Sequence, residues 1–269
     1  MSVFSAVSVL DRDPDLGEDL GPEEFALARH QAVARVLRYP KGRWSAGRNA
    51  FDRAGALGLL ITEGLLVRKV TVGDRTGAEL LGPGDVTQPW LRTGPDSSVS
   101  TEVNWQVAQP LAIALLDRGF VGRVTRWPEL PAAVARRLML RVHWLSFHLA
   151  VCHMRRVDDR LLMVLWHFAD RWGRVTPNGV QIDIALTHRL LALVVGARRP
   201  SVTASVRELM QSGRIEALPG SRWLLHGDPP AELRELHEHA ADHERPLPLE
   251  LAGAADSDVP TRKRSRQLG

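Results

Sequence analysis

The sequence predicts an α+β protein with an N-terminal antiparallel β-roll, one long helix and a C-terminal winged helix-turn-helix. Three observations support this fold class. Short β-rich runs separated by turn residues fill the first half, a glycine-free helical stretch follows, and then come a helix, a glycine turn, a second helix and a hairpin. We predict a flexible extension at 1–30, the β-roll at 31–128, the long helix at 129–156, the winged helix-turn-helix at 157–228, and a polar, largely disordered tail at 229–269.

The composition is that of a globular chain. Of its 269 residues, 44% are hydrophobic and 25% are charged. No stretch of 18 residues is both apolar and uncharged, and the first nineteen residues are acidic where a secretory signal would be basic. The single cysteine, Cys152, can form neither an intrachain disulfide nor an all-cysteine metal site. We expect a cytoplasmic protein without membrane contact or cofactor.

Strand-forming runs bounded by turns predict the β-roll. Residues 59–62 and 65–72 are two such runs, and Glu63-Gly64 separates them. The sequence from Gly82 to Asp85 is a strong turn, and 103–116 forms one or two strands broken near Pro110. Closely spaced short strands favour an antiparallel roll or sandwich.

The long helix carries apolar residues at spacings of 3, 4, 3, 4 and 3, which is a heptad seam. Such a seam is compatible with packing against the helix's own domain and with pairing in a homodimer. Our hypothesis is a dimer interface formed by Leu138, Val142, Leu145, Leu149 and Cys152, with Ala135 preceding them on the seam.

Local signals predict the helix-turn-helix. Thr187 is a good N-cap for a helix from 188 to 195, and Gly196 supplies the positive φ of a sharp turn. A second helix runs from about Pro200 to 211, with Val202, Val206 and Leu209 facing the core. Residues 215–218 and 222–225 then form the hairpin.

The positive charge is concentrated in this same segment. Residues 187–226 contain six arginines and two glutamates, 6 − 2 = +4, which equals the net charge of the whole chain. A local basic excess is typical of nucleic-acid contact, although solvated arginines on an ordinary core would give the same count. The candidate DNA-binding residues are Thr187, Arg198, Arg199, Pro200, Ser201, Thr203, Arg207, Ser221 and Arg222.

The segments 177–182, Leu186-Thr187, Val195-Gly196 and 199–202 resemble the Crp/Fnr family of bacterial transcription regulators. Upstream, Glu63-Gly64 and 81–85 are similar to the cyclic-nucleotide-binding-like β-roll of that family. The resemblance implies a homodimer that binds a pseudo-palindromic operator on double-stranded DNA and contacts RNA polymerase, with Arg199 reading guanine. Pro200 stands where many members have glutamate.

The sensor residues depart from the family pattern. Cyclic-nucleotide-binding members carry an arginine for the cyclic phosphate, but 93–117 contain no Arg or Lys, and Glu102 stands near the expected position. We therefore expect no cyclic-nucleotide binding in the usual mode, and the effector is unknown. Trp90 and Trp105 could line an apolar pocket or belong to the core.

No other segment gives a strong functional signal. His239 and His243 could share a metal or lie on a solvated tail helix, and we predict no metal site. The basic residues at 262–266 could attract phosphate or be inert. No catalytic motif is present, so we predict no enzyme. The alternative function is a small-ligand-binding module whose helix-turn-helix contacts a protein.

Overall fold

The computed structural model describes residues 5–45, 54–91, 98 and 100–230. Residues up to Asp228 form one compact unit, and a second unit begins at Pro229. From residue 231 onward the predicted tail lies outside the described residues, together with His239, His243 and the basic residues at 262–266.

The first half of the chain is mainly β-structure. Its elements are β1 (Ser5–Ser8), α1 (Val9–Arg12), a 3₁₀ turn (Pro14–Gly17), α2 (Pro22–Gln31), β2 (Val33–Tyr39), β3 (Gly42–Trp44), β4 (Gly58–Val72), β5 (Arg75–Leu81), β6 (Val86–Thr87), β7 (Glu102–Leu116) and α3 (Arg118–Arg123). Within the described residues the strands pair antiparallel in the order β1-β2-β7-β4-β5, with β3 also on β7 and β6 also on β4. The predicted antiparallel β-roll is confirmed.

The second half is mainly helical, with two hairpins. Its elements are α4 (Glu129–Cys152), α5 (Val157–Trp172), β8 (Gly173–Thr176), β9 (Gly179–Ile182), α6 (His188–Val194), α7 (Arg199–Gln211), β10 (Ile215–Leu218) and β11 (Arg222–Leu225). Strands β10-β11-β9-β8 form a second antiparallel sheet. Among the described residues, no helix has the length and apolar character that a membrane crossing requires.

Two breaks predicted in the β-roll are wrong. Strand β4 continues through Glu63-Gly64, and β7 continues through Pro110. The register between these two strands shifts around Gly64, whose φ is +87° and whose missing side chain leaves room for the Pro110 carbonyl. Glycine and proline therefore mark a β-bulge within one long pair of strands rather than two turns.

The prediction of a flexible extension at 1–30 is also wrong for residues 5–30. Strand β1 pairs with β2, and Val9, Leu10 and Leu16 are at most 3% exposed in a core shared with α3 and α4. The acidic residues that suggested a solvated segment pair with arginines instead. The pairs that hold this segment to α4 are Arg136 with Glu18 and Asp19, and Arg137 with Asp13.

Candidate nucleic-acid interface

Helix α6 and the turn after it form as the local sequence predicts. The Thr187 side-chain oxygen accepts a hydrogen bond from the Leu190 amide at 3.2 Å and so caps the helix. Gly196, with φ +62°, follows the helix, and the Ala197 amide donates to the Ala192 carbonyl at 3.0 Å. These bonds satisfy backbone groups at both ends of the helix and direct the chain sharply into α7.

Helix α7 buries one stripe and exposes the opposite face. Val202, Val206 and Leu209 are 0%, 3% and 6% exposed, and α7 packs against α5. The exposed residues at its start and along its outer face are Arg198, Arg199, Pro200, Ser201, Ala204 and Arg207. The buried stripe therefore fixes which side chains of the helix face solvent.

Thr203 has a structural contact as well as a place beside the exposed face. It is half-buried, and its hydroxyl donates to the Arg199 carbonyl at 3.1 Å and lies 3.1 Å from His188 Nδ1. His188 in turn stacks on Trp223 of β11. Thr203 thus links the start of α7 to α6 and to the hairpin.

The hairpin of β10 and β11 presents Ser221 and Arg222. Ser221 adopts φ +60° in the tight turn, and its side chain is exposed. Arg222 donates from Nε to the Pro219 carbonyl at 3.0 Å and from Nη1 to Asp183 Oδ1 at 3.3 Å. The Arg222–Asp183 pair is exposed to solvent, so it contributes little stability and can exchange partners at low cost.

The outer face of α7 borders an open groove of about 430 Å³, lined by Arg199, Pro200, Thr203, Ala204 and Arg207. These side chains come from two successive turns of one helix. The groove has two arginines and small or uncharged residues between them. It is suited to an anionic surface that presents hydrogen-bond acceptors to a guanidinium.

The predicted dimer seam is partly covered at Leu138 and Cys152 and exposed in its middle. Val142, Leu145 and Leu149 are 57%, 37% and 63% exposed. Leu138 packs partly against the core of the β-roll, and Cys152 Sγ lies 3.6 Å from the Val194 carbonyl oxygen. Leu145 also lines a small cavity with Leu80 and Leu81 of β5, whereas the side chains of Val142 and Leu149 are mostly exposed.

The tryptophans of the β-roll pack against its core. Trp90 and Trp105 are half-buried beside a cluster that includes Leu66 and Val107, and Trp105 meets Trp44 edge-to-face at 5.7 Å. Glu102 is exposed at the start of β7 and accepts a hydrogen bond from Asn104 at 2.8 Å. Residues 92–97 and 99, where a phosphate cassette would lie, are outside the described residues.

A buried charged cluster between the β-roll and α5 was missed from the sequence. Asp85 pairs with Arg171 of α5, and Glu79 pairs with Arg141 of α4. At Asp85 the sequence indicates only a turn that is similar to the β-roll of the family. The available signal was Arg171-Trp172, a charged and an aromatic residue at the end of a strongly apolar helix, but the sequence does not show what they contact.

Residues 159–236 match the family described as the Crp-like helix-turn-helix domain. The regulatory protein CysR of Synechococcus elongatus is 33% identical over 70 residues, which are 25% of this chain and 34% of that protein. The matched segments span about a third of the length of the curated relatives.

Solved structures share the fold across most of the chain. A cyclic nucleotide-binding domain containing protein from Listeria monocytogenes has a TM-score of 0.55 at 15% identity, covering 78% of this chain and 95% of that one. A CooA mutant from Carboxydothermus hydrogenoformans has a TM-score of 0.52 at 19% identity, covering 77% and 88%. The fold of a β-roll followed by a helix-turn-helix is therefore shared with these proteins, and the predicted family resemblance is confirmed for the helix-turn-helix at 159–236.

Proposed function

We propose that this chain, which has a Crp-like helix-turn-helix domain on a Crp/Fnr-type fold, is a transcription regulator that binds double-stranded DNA sequence-specifically as a homodimer. The observation that carries the proposal is the exposed face of α7. A buried stripe holds the helix in place, while Arg199 and Arg207 project beside small side chains along an open groove. A helix of this kind fits the major groove.

We assign the base contacts to residues at the start of α7. Arg199 is the first residue of the helix, and a guanidinium matches guanine O6 and N7 bidentately. Arg198, immediately before it, is the second candidate for a base edge. Pro200 and Ser201 are small enough for the backbone to approach the DNA, where the helix N-terminus favours phosphate.

Phosphate contacts are assigned to the residues around this helix. Thr187 lies exposed at the start of α6, Arg207 lies two turns along α7, and Ser221 and Arg222 lie on the hairpin. Thr203 borders the same groove. Arg222 would exchange its exposed contact with Asp183 for a phosphate oxygen, which is a stronger partner for a guanidinium.

The homodimer is assigned to the seam of α4. Val142, Leu145 and Leu149 expose a continuous apolar face, and a second copy of α4 would bury it in heptad register. Leu138 and Cys152 would flank this contact. A two-fold dimer places its reading helices on half-sites about one helical turn, roughly 34 Å, apart, which requires a pseudo-palindromic operator.

The sensor would act without the usual cyclic-nucleotide chemistry. Residues 93–117 offer no cation for a cyclic phosphate, and Glu102 would repel one. As a regulator, the protein would act in the cytoplasm, where the chromosome lies, and change promoter occupancy or the recruitment of RNA polymerase.

The test compares two arginines on DNA selected from random sequence and on scrambled DNA. Arg199→Ala removes a base contact, so the ratio of specific to nonspecific affinity should fall by about 1–3 kcal/mol per half-site, or about 5- to 150-fold. Arg222→Ala should weaken both affinities together and reduce the salt slope by about one unit per contact. A salt-titrated binding assay measures both effects.

Arg43→Ala is the matched control, because Arg43 is an exposed arginine on β3 of the β-roll. It should leave the ratio and the salt slope at their wild-type values. If Arg199→Ala retains the wild-type ratio, α7 does not read bases. If no sequence is enriched by the wild-type protein, the proposed function is wrong.

A further inference from the structure

The contact between the β-roll and the helix-turn-helix domain includes a packing of α6 on β5 and one buried ion pair. Arg171 lies within the matched domain, and Asp85 lies in the turn between β5 and β6 of the β-roll. Arg171 Nη2 donates to both carboxylate oxygens of Asp85, at 2.5 and 2.6 Å. The two side chains are only 9% and 4% exposed.

Aromatic rings and backbone groups enclose this pair. The Arg171 guanidinium lies 3.9 Å from the ring centre of Trp144 on α4 and 4.0 Å from that of Trp172 on α5. Trp172 Nε1 donates to the Pro83 carbonyl at 3.2 Å, and the Gly82 amide donates to Asp85 at 2.7 Å. We call Gly82, Pro83, Asp85, Trp144, Arg171 and Trp172 the interdomain joint.

A second buried pair ties α4 to the same side of the β-roll. Arg141 donates to both carboxylate oxygens of Glu79, at 2.5 and 2.8 Å, and Arg68 reaches Glu79 at 3.3 Å. The pairs from α4 and α5 therefore both reach the β5–β6 end of the β-roll. The two pairs together hold the β-roll, α4 and α5 against one another.

The interdomain joint is sensitive to the position of α5, because burial disfavours the charged forms of both Asp85 and Arg171. Burial raises the pKa of Asp85 and lowers the pKa of Arg171, so each charge depends on its partner, with the Gly82 amide also stabilising Asp85 and the nearby Glu79 also stabilising Arg171. Displacing α5 by even a few ångströms would leave a buried charge unpaired, which is costly. The joint therefore favours one position of α5 on the β-roll.

We propose that the Asp85–Arg171 joint is the positioning device that sets the orientation of the DNA-reading helix relative to the β-roll. Because α5 packs against α7, a fixed α5 also fixes α7. In the dimer, the two reading helices are thereby held at one separation, and Arg171 acts through this geometry without touching DNA. The inference rests on the proposed function.

The test separates half-site reading from half-site spacing. The double variant Asp85→Asn with Arg171→Met removes both charges and retains similar volumes, and the new amide oxygen can still accept from the Gly82 amide. Its affinity for a single half-site should equal the wild-type value. Its affinity for two half-sites at the best spacing should fall about tenfold, because a mobile domain lowers the effective concentration of the second contact. Its tolerance of spacers changed by one or two base pairs should widen.

The control double variant is Glu63→Gln with Arg38→Met, which removes the exposed Arg38–Glu63 ion pair of the β-roll and, with it, the exposed Arg12–Glu63 pair. It should keep the wild-type spacing profile. If the Asp85/Arg171 double variant fails to fold, Gly82→Ala tests the inference in its place. Its new methyl group would lie 2.7 Å from the Trp172 ring and displace that ring, while all charges are retained. A wild-type spacing profile in the folded joint variant overturns the inference. A wild-type protein that selects no DNA overturns the proposed function instead.

Discussion

Mild acid should destabilise this protein through two buried histidines. The rings of His148 on α4 and His167 on α5 lie 5.2 Å apart, and His167 also meets Trp144 and Phe147. The Nε2 atoms of both histidines are buried without a hydrogen-bond partner among the described residues. A proton added to either ring would place a charge in this aromatic cluster, close to Arg171.

The direction and size of the change in stability follow from the environment of each histidine ring. Burial, and then the charge of Arg171, lowers the pKa of His148 to about 4, and burial and His148 lower that of His167 to about 3. The unfolded chain has a pKa near 6.5 for both groups, so it binds more protons as the pH falls below that value. The stabilising effect is complete above pH 6.5 and is lost as the pH falls towards 4. For His148 alone, about 2.5 pH units at about 1.4 kcal/mol each correspond to about 3 kcal/mol.

The measurement is urea unfolding at pH 7.5, 6.5, 5.5 and 5, followed by tryptophan fluorescence. Each buried histidine adds up to about 1.4 kcal/mol per pH unit to the slope of the unfolding free energy. His167→Phe should reduce that slope by one such contribution. His30→Phe, on the exposed side of α2, should reproduce the wild-type slope. An unchanged slope in His167→Phe would refute the reasoning.

Three further predictions address the dimer, the bulge and the sensor. Replacing Leu145 and Leu149 with glutamate should place like charges in the seam and give monomers by analytical ultracentrifugation; a dimeric variant would reject the seam. Gly64→Ala should lower the free energy of unfolding by more than the roughly 1–3 kcal/mol of backbone strain, because its methyl group would clash with the Pro110 carbonyl. The control is Gly73→Ala, where φ is also positive but the space is open, and it should show the backbone strain alone in urea unfolding. Calorimetry should detect no cyclic AMP binding, and tight binding at the β-roll would contradict the assignment.

The helix-turn-helix could be predicted because its determinants are close in sequence. A capping threonine at 187, a left-handed glycine at 196 and a stripe of apolar residues at helical spacing each act within a few residues. The structure places Val202, Val206 and Leu209 in the core, as predicted. The assignment of Arg199 to base reading remains a prediction, because it depends on DNA as well as on the helix.

Contacts between residues far apart in the sequence determined the features that local sequence did not predict. The sequence shows glycine at 64 and proline at 110, but only the pairing of β4 with β7 makes them one bulge instead of two turns. The acidic N-terminal segment belongs to the fold because distant arginines neutralise it and its few apolar residues fill a core built elsewhere. Asp85 and Arg171 are 86 residues apart in the sequence, and only the tertiary fold brings them together. Local sequence thus determined helix α7 and its apolar stripe, and tertiary packing determined where that helix is held, because the energy of a buried charge depends on its partner.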